Sequence, residues 1–287
     1  MIVFLKKFSF GVYYIFRKIF GPKQFKGVKV ILYHNICRTD FNRHIAYLNA
    51  NYKIISLEEM IRCFEKNIKL NNTFVITFDD GLKTNFELLD VIKIYKIRPT
   101  IFITTNLINT NKSFWFNGLS QKKLLSLLSI DNCRRKELLD NKKTKNREVL
   151  NNMELTEMNP YVNFEPHTLS HPSLKQCSND ELNSEIVGSC DYIKSVTGKK
   201  AQSFAPPFGY FDNRVLSILK NQKIKCNLTL KPGVNFSAND LYNIKRIGIP
   251  AVCDNMEFIS RIDGYWDSIR RIKFLKSYSS FYNQYDE

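Results

Sequence analysis

The chain has 287 residues, of which 44% are apolar and 24% charged, with a formal net charge of +16. That length and apolar share supply one large core, which excludes a disordered chain and suits the size at which α/β barrels form. The positive balance favours anionic partners, but no zinc-finger, RNA-recognition or basic-zipper pattern accompanies it, so a nucleic-acid partner is not expected.

The first segment, Met1 to Phe20, is apolar and aromatic but broken by Lys6, Lys7, Arg17 and Lys18. Its longest uncharged run, Phe8 to Phe16, is too short to span a bilayer. A signal peptide is conceivable, yet Gly21-Pro22-Lys23 makes a poor small-residue cleavage site. On a helix the two basic pairs lie three turns apart and share a face. Residues 1–27 are therefore expected to be an amphipathic segment, lying on an anionic membrane surface or docked on the domain's own flank.

Strand and helix signals then alternate. Val28 to His34 reads as a first strand and Tyr52 to Ile55 as a short second one. Ser56-Leu57-Glu58-Glu59 has the form of a capping box opening a helix to about Glu65. Phe74 to Phe78 is an apolar strand, Thr84 to Tyr95 a helix, and Thr100 to Thr104 the next strand. From about 106 to 157 the pattern turns helical and polar, an expected insertion over the barrel mouth. It carries the basic run Lys142-Lys143-Thr144-Lys145 and the cluster Phe114-Trp115-Phe116, which could stack on a sugar ring or lipid tail or pack in the core. Tyr161 to Phe164 follows, then a helix capped by Ser178-Asn179-Asp180-Glu181 and stopped at Gly198. Ser203 to Pro207, Lys225 to Leu230 and Tyr242 to Ile247 read as further strands, and 253–287 as a helical tail. Such alternation predicts about seven parallel strands with helical crossovers.

Seven widely spaced cysteines, odd in number and without a Cys-x-x-Cys pair, read as reduced thiols and a cytoplasmic body, peripheral to the cytoplasmic membrane. The glycines of Gly21-Pro22-Lys23-Gln24-Phe25-Lys26-Gly27 lack the Gly-Lys-Ser/Thr ending of a phosphate-binding loop.

The chemistry concentrates in two short stretches. Thr77-Phe78-Asp79-Asp80-Gly81 places adjacent carboxylates directly after an apolar strand, with Gly81 allowing a sharp exit. Two anions at the edge of a core require a cation or hydrogen-bond donors. About ninety residues later stands Pro166-His167-Thr168-Leu169-Ser170-His171-Pro172, which holds two of the chain's four histidines. The flanking prolines place that pair on a loop or a single turn. Two imidazoles and one carboxylate, from Asp79 or Asp80, form the ligand set of an open catalytic zinc site.

These stretches resemble the polysaccharide deacetylases with the NodB homology domain, carbohydrate esterase family 4, in the bacterial surface-glycan branch. Phe204-Ala205-Pro206-Pro207-Phe208-Gly209 resembles that family's Arg-x-Pro-Tyr-Gly segment, and Tyr33-His34 and Lys245-Arg246-Ile247 are frequent in the branch. The resemblance covers roughly Val28 to Pro250 and implies a distorted (β/α)7-type barrel over 28–252 with its catalytic groups at the C-terminal strand ends. It implies that Asp80, His167 and His171 hold a divalent metal, most simply zinc, that Asp79 is the general base, and that the Phe208 N–H stabilises the oxyanion. Pro207, Gly209 and Arg246 become candidate substrate contacts. Two positions depart from the pattern. Ala205 replaces the arginine that orients the base, for which Arg246 is the candidate substitute. No histidine follows His171, so His34, at a strand end, is the candidate acid; His44, in a helical stretch, is expected to be structural. The implied activity is N-deacetylation of an amino sugar in a surface polysaccharide, lipopolysaccharide or polyprenyl-phosphate-linked precursor. A noncatalytic glycan-binding or assembly protein and a deformylase acting on a sugar amide are the alternatives.

Overall fold

Two buried, mostly apolar runs make the middle of the sheet. β1 (Val28–Tyr33) and β3 (Thr73–Phe78) are buried at every position, as expected of strands covered on both faces. They pair in parallel from Val28 opposite Thr73 to Tyr33 opposite Phe78. The computed structural model describes residues 2–139 and 147–269. The run Lys142-Lys143-Thr144-Lys145 and the tail beyond Ile269 lie outside the described residues.

β4 (Thr100–Ile103) and β5 (Asn163–Pro166) extend the sheet on one side and β8 (Arg246–Gly248) on the other, in the order β5-β4-β3-β1-β8. β2 (Lys53–Ile54) pairs alongside β3. β6 (Ser203–Phe204) and β7 (Cys226–Asn227) form a separate parallel ladder. Backbone bonds from Thr229 to Ile244 and from Arg246 to Lys231 join the end of β7 to β8. Across the other gap the Glu165 carboxylate of β5 accepts the N–H groups of Gln202 and Ser203 at the start of β6. The circuit β1-β3-β4-β5-β6-β7-β8 is thus the expected distorted seven-strand barrel, with one seam closed by a side chain.

Helices α2 (Arg38–Asn51), α3 (Leu57–Glu65), α4 (Leu89–Tyr95), α8 (Asn179–Thr197), α9 (Asn213–Asn221) and α10 (Asn255–Ile262) connect or flank these strands. The α8 box is complete, Ser178 and Glu181 bonding reciprocally, and Gly198 ends the helix at φ 72°. At α3 only half of the predicted box forms: Ser56 accepts the Glu59 N–H, while the Glu59 carboxylate turns to Lys53 at 3.3 Å. Two further expectations shift. Thr84–Tyr95 opens as a 3₁₀ turn over Lys83–Leu88, where Asn85 is buried and donates to the His34 carbonyl. Tyr242–Ile247 is not a full strand, because a box between Ser237 and Asp240 winds Ala238–Asn243 into a 3₁₀ turn and β8 begins only at Arg246.

Between β4 and β5 lie α5 (Gln121–Leu128), α6 (Asn132–Leu138) and α7 (Asn152–Met158), the expected helical insertion. Its return segment reaches the mouth: Leu150 donates to the Gly81 carbonyl and Lys83 to that of Glu148. All seven cysteines are unbonded. His44 is buried between Tyr33 Oη at 3.1 Å and the Cys253 carbonyl at 2.9 Å, stacked on Phe258. Burial pushes its pKa down to about 4, so it is a neutral core histidine.

α1 (Ile2–Phe20) docks along α10 and α11 (Tyr265–Ile269). Phe10 is buried edge-on against Trp266, and Tyr13 stacks on Tyr265 with centroids 4.2 Å apart. The basic pairs line up as their spacing predicts, but docking divides them. Lys6 pairs with Glu257 at 3.0 Å and Arg17 with Asp263 at 3.2 Å, whereas Lys7 and Lys18 stay exposed.

Candidate active site and metal centre

The site is assembled where the strands end. Asp79 extends β3 by one ladder bond, its N–H donating to the Tyr33 carbonyl at 3.0 Å. The chain then turns through two left-handed residues, Asp80 at φ 72° and Gly81 at φ 71°. A Cβ at Gly81 would stand 3.0 Å from Ile103 Cγ2, so glycine is needed there for both backbone and space. Thr168, His171 and Phe208 are also left-handed, at φ 70°, 58° and 56°. Such conformations cost of order 1–3 kcal/mol each and persist only where neighbours over-determine them.

The two carboxylates meet different partners. Asp79 is 2% exposed and receives both terminal nitrogens of Arg246 at 2.7 Å, a bidentate fork; Arg246 Nε donates to the Thr229 carbonyl. Burial works against ionisation of Asp79, but the charge and forked hydrogen bonds of Arg246 outweigh it and hold the carboxyl below its ordinary range. Arg246 is itself 1% exposed and wholly committed, which makes it a residue that positions Asp79 rather than a surface for substrate.

Asp80 faces the histidines. Its Oδ1 lies 3.2 Å from His171 Nε2 and 3.5 Å from His167 Nε2, without a well-formed hydrogen bond of its own. His167 Nδ1 sits 2.6 Å from the Ala205 carbonyl, which can only accept; the proton is therefore on Nδ1 and the Nε2 lone pair points at Asp80. A buried carboxylate oxygen and a buried lone pair directed at one another need a cation between them. Ligand atoms of the three residues fall within 4.8 Å of one another, and tetrahedral zinc with its usual bond lengths separates its ligands by about 3.3 Å. The donor set and its spacing thus fit a divalent metal.

The histidine loop is fixed from both sides. Thr105 and Asn106 donate to the carbonyls of Thr168 and Leu169. From α8, the buried carboxylate of Glu185 accepts the N–H groups of Leu169 and Ser170, each at 2.9 Å, and the Ser170 hydroxyl. Glu185 was not apparent from motif reading. Its signal in the sequence is an acid at core spacing, in register with the buried Leu182, Ile186 and Ser189.

The aromatic cluster of the insertion forms a wall behind the metal ligands. Phe114 and Phe116 are buried, with rings 5.5 and 4.9 Å from that of His171, and Trp115 Nε1 donates to the His171 carbonyl at 2.7 Å. Core packing therefore accounts for the buried pair. Phe208 completes the wall at 4.6 Å from His171, in the 3₁₀ turn Pro207–Gly209 that follows β6. That turn brings Pro207, Phe208 and Gly209 to the mouth. His34, half-buried just past β1, lies near both aspartates. The structure thus gathers the sequence candidates at one end of the barrel.

A sequence model described as polysaccharide deacetylase matches residues 66–226, more than half of the chain. Among solved structures, the Streptococcus pyogenes deacetylase PplD is similar with a TM-score of 0.63 at 19% identity, covering 84% of this chain and 98% of its own. A polysaccharide deacetylase from Bacillus cereus gives 0.62 at 21% identity, covering 83% of this chain and 69% of that one. IcaB from Ammonifex degensii gives 0.61 at 17%, covering 78% and 92%. No curated protein sequence matches the chain. These similarities establish the fold, and the motif-bearing match establishes the lineage: the chain belongs to the polysaccharide deacetylase family.

Proposed function

We propose that the chain is a metal-dependent N-deacetylase acting on an N-acetylated amino sugar of a cell-surface glycan or its lipid-linked precursor. The observation that carries this reading is the division of labour between adjacent aspartates, Asp80 turned to two histidines and Asp79 clamped by Arg246. Asp80, His167 and His171 would hold the cation, zinc being the natural choice for two imidazoles and a carboxylate. When bound, the metal supplies Lewis acidity and makes water available as a nucleophile near neutral pH.

The chain's own groups account for the remaining steps. Asp79 takes a proton from the attacking water; Arg246 keeps that carboxylate ionised and aimed. The Phe208 N–H, on its strained turn, donates to the oxygen of the former amide carbonyl as it becomes anionic. His34 delivers a proton to the departing nitrogen as the carbon–nitrogen bond breaks. Amide and water are thereby converted to acetate and a free amine. Ala205 still takes part: although it lacks the guanidinium found at that position in the family, its carbonyl orients His167, and Arg246 reaches Asp79 from the other side.

The decisive experiment measures acetate release from acetylated amino-sugar oligomers and from acetylated amino-sugar lipids. Metal- and Asp79-dependent release supports the reading. Stoichiometric metal with no release from either substrate would instead favour a glycan-binding protein on the same barrel. Release of formate but not acetate would make it a deformylase.

A further inference from the structure

Docking leaves α1 with a second face that no other element among the described residues is seen to cover. Phe8, Val12, Ile15, Phe16, Ile19 and Phe20 are 64%, 54%, 59%, 44%, 70% and 67% exposed. Their spacing of three and four residues puts them on one side of the helix, turned away from Phe10, which packs on Trp266; Phe16, at the border of the stripe, stacks on Tyr13. The stripe from Phe8 to Phe20 is about 18 Å long. Six large apolar side chains exposed side by side form a patch of the kind that marks an interaction site.

We propose that this face is a membrane-docking surface that seats the barrel on an anionic lipid bilayer. Three features select a bilayer as the occupant. First, charge is arranged for it: Lys7 and Lys18, the basic residues not paired in docking, are exposed and share a line along the helix between its docked side and the apolar stripe. α1 contains no acidic residue, and Glu257 and Asp263 are paired on its docked side with Lys6 and Arg17. Second, the face is aromatic and aliphatic over its length, the composition of an interfacial helix that sinks its apolar side to the level of the acyl chains. Third, no helix among the described residues is long and apolar enough to cross a membrane, so attachment by α1 would be by lying in the interface.

The same contacts set the orientation. Lys6 meets Glu257 near the start of α10 and Arg17 meets Asp263 just past its end, so α1 runs parallel to α10 along the barrel flank. α10 follows the C-terminal end of β8, which places the Lys6 end of α1 at the level of the mouth. The docked barrel lies on its side, with the mouth opening along the membrane plane. If the chain is the deacetylase proposed above, this arrangement presents the site to sugars carried at headgroup height.

The test is flotation of the purified full chain with vesicles of phosphatidylcholine containing phosphatidylglycerol, against vesicles of phosphatidylcholine alone. The chain is expected to float with the anionic vesicles. Ile15→Ser with Ile19→Ser should lower that partitioning about tenfold or more. Lys7→Glu with Lys18→Glu should abolish the preference for anionic lipid. Both pairs are exposed and lie outside the site, so melting temperature and acetate release from a soluble acetylated chitooligosaccharide should match the parent chain. No flotation, or flotation unaffected by the isoleucine pair, overturns the proposal. So does a dimer in light scattering that the isoleucine pair converts to monomer in the absence of vesicle binding, since the face would then be covered by a second copy. Flotation is read without reference to deacetylation, so an inactive protein that floats leaves this inference intact.

Discussion

Two fully buried acids, one at the barrel mouth and one in its wall, are pushed in opposite directions. Asp79 lies against a guanidinium and stays ionised below the ordinary carboxylate range. Glu165, in the β5–β6 seam, meets neutral donors, the N–H groups of Gln202 and Ser203 and the Ser203 side chain, and burial raises its pKa to about 8. Both are taken from water and both are hydrogen-bonded. The difference is a cation: neutral donors repay part of the desolvation of a carboxylate, a forked arginine repays all of it. The mouth is therefore built to retain charge and the seam to suppress it, although both carboxyls sit inside one barrel.

Substitutions at the mouth are therefore expected to alter chemistry, and those in the seam only the pH dependence of stability. The largest effect is expected from Asp80→Ala or His171→Ala, which should remove stoichiometric metal by elemental analysis and reduce acetate release to background. Asp79→Asn should keep the metal but slow release by about 10²–10⁴-fold, the span expected for loss of a general base; full activity in this variant would end its role. Arg246→Ala strands Asp79 as an uncompensated buried charge. A loss of about 3–5 kcal/mol in denaturant unfolding is expected, with Arg246→Lys keeping part of both stability and rate because it restores charge but not the fork.

Smaller effects should come from the seam and the loop clasp. Glu165 has a folded pKa above its unfolded one, so between about pH 4.5 and 8 the native state binds a proton that the unfolded chain has released. Stability is thus fullest below that window and falls as pH rises through it. Glu165→Gln should flatten this slope in melting-temperature measurements while leaving acetate release unchanged. A steep slope in the variant would place the titration elsewhere. The mildest change is expected for Glu185→Gln, which retains acceptors for the Leu169 and Ser170 N–H groups: metal affinity should weaken modestly, by less than about tenfold, on titration with zinc.

Much of the site was legible because its pieces are local. The carboxylate pair sits at the end of an apolar run, the histidines share one proline-bounded loop, and Ser178 and Gly198 punctuate α8 by their own side-chain and backbone chemistry. Elsewhere the sequence was ambiguous for a physical reason. Glu59 could close its capping box or pair with Lys53, and only the position of β2 made the second available. Tyr242 and Asn243, read as the start of a strand, were instead wound up with Ala238–Leu241 by the box between Ser237 and Asp240, which lies upstream of the apolar run.

What the sequence determined by itself is the set of reacting groups and the order of the elements that bear them, since residue identity and strand-ending turns are short-range properties. Only the tertiary structure decided which group answers which. Arg246 reaches Asp79 across 167 residues because β8 closes on β1, and the Ala205 carbonyl meets His167 because β6 lies beside β5. In the same way the contact with α10 consumed Lys6 and Arg17 and left Lys7, Lys18 and an apolar stripe facing outward. Spacing along a helix fixes which side chains share a face, but which face is covered depends on the element packed against it.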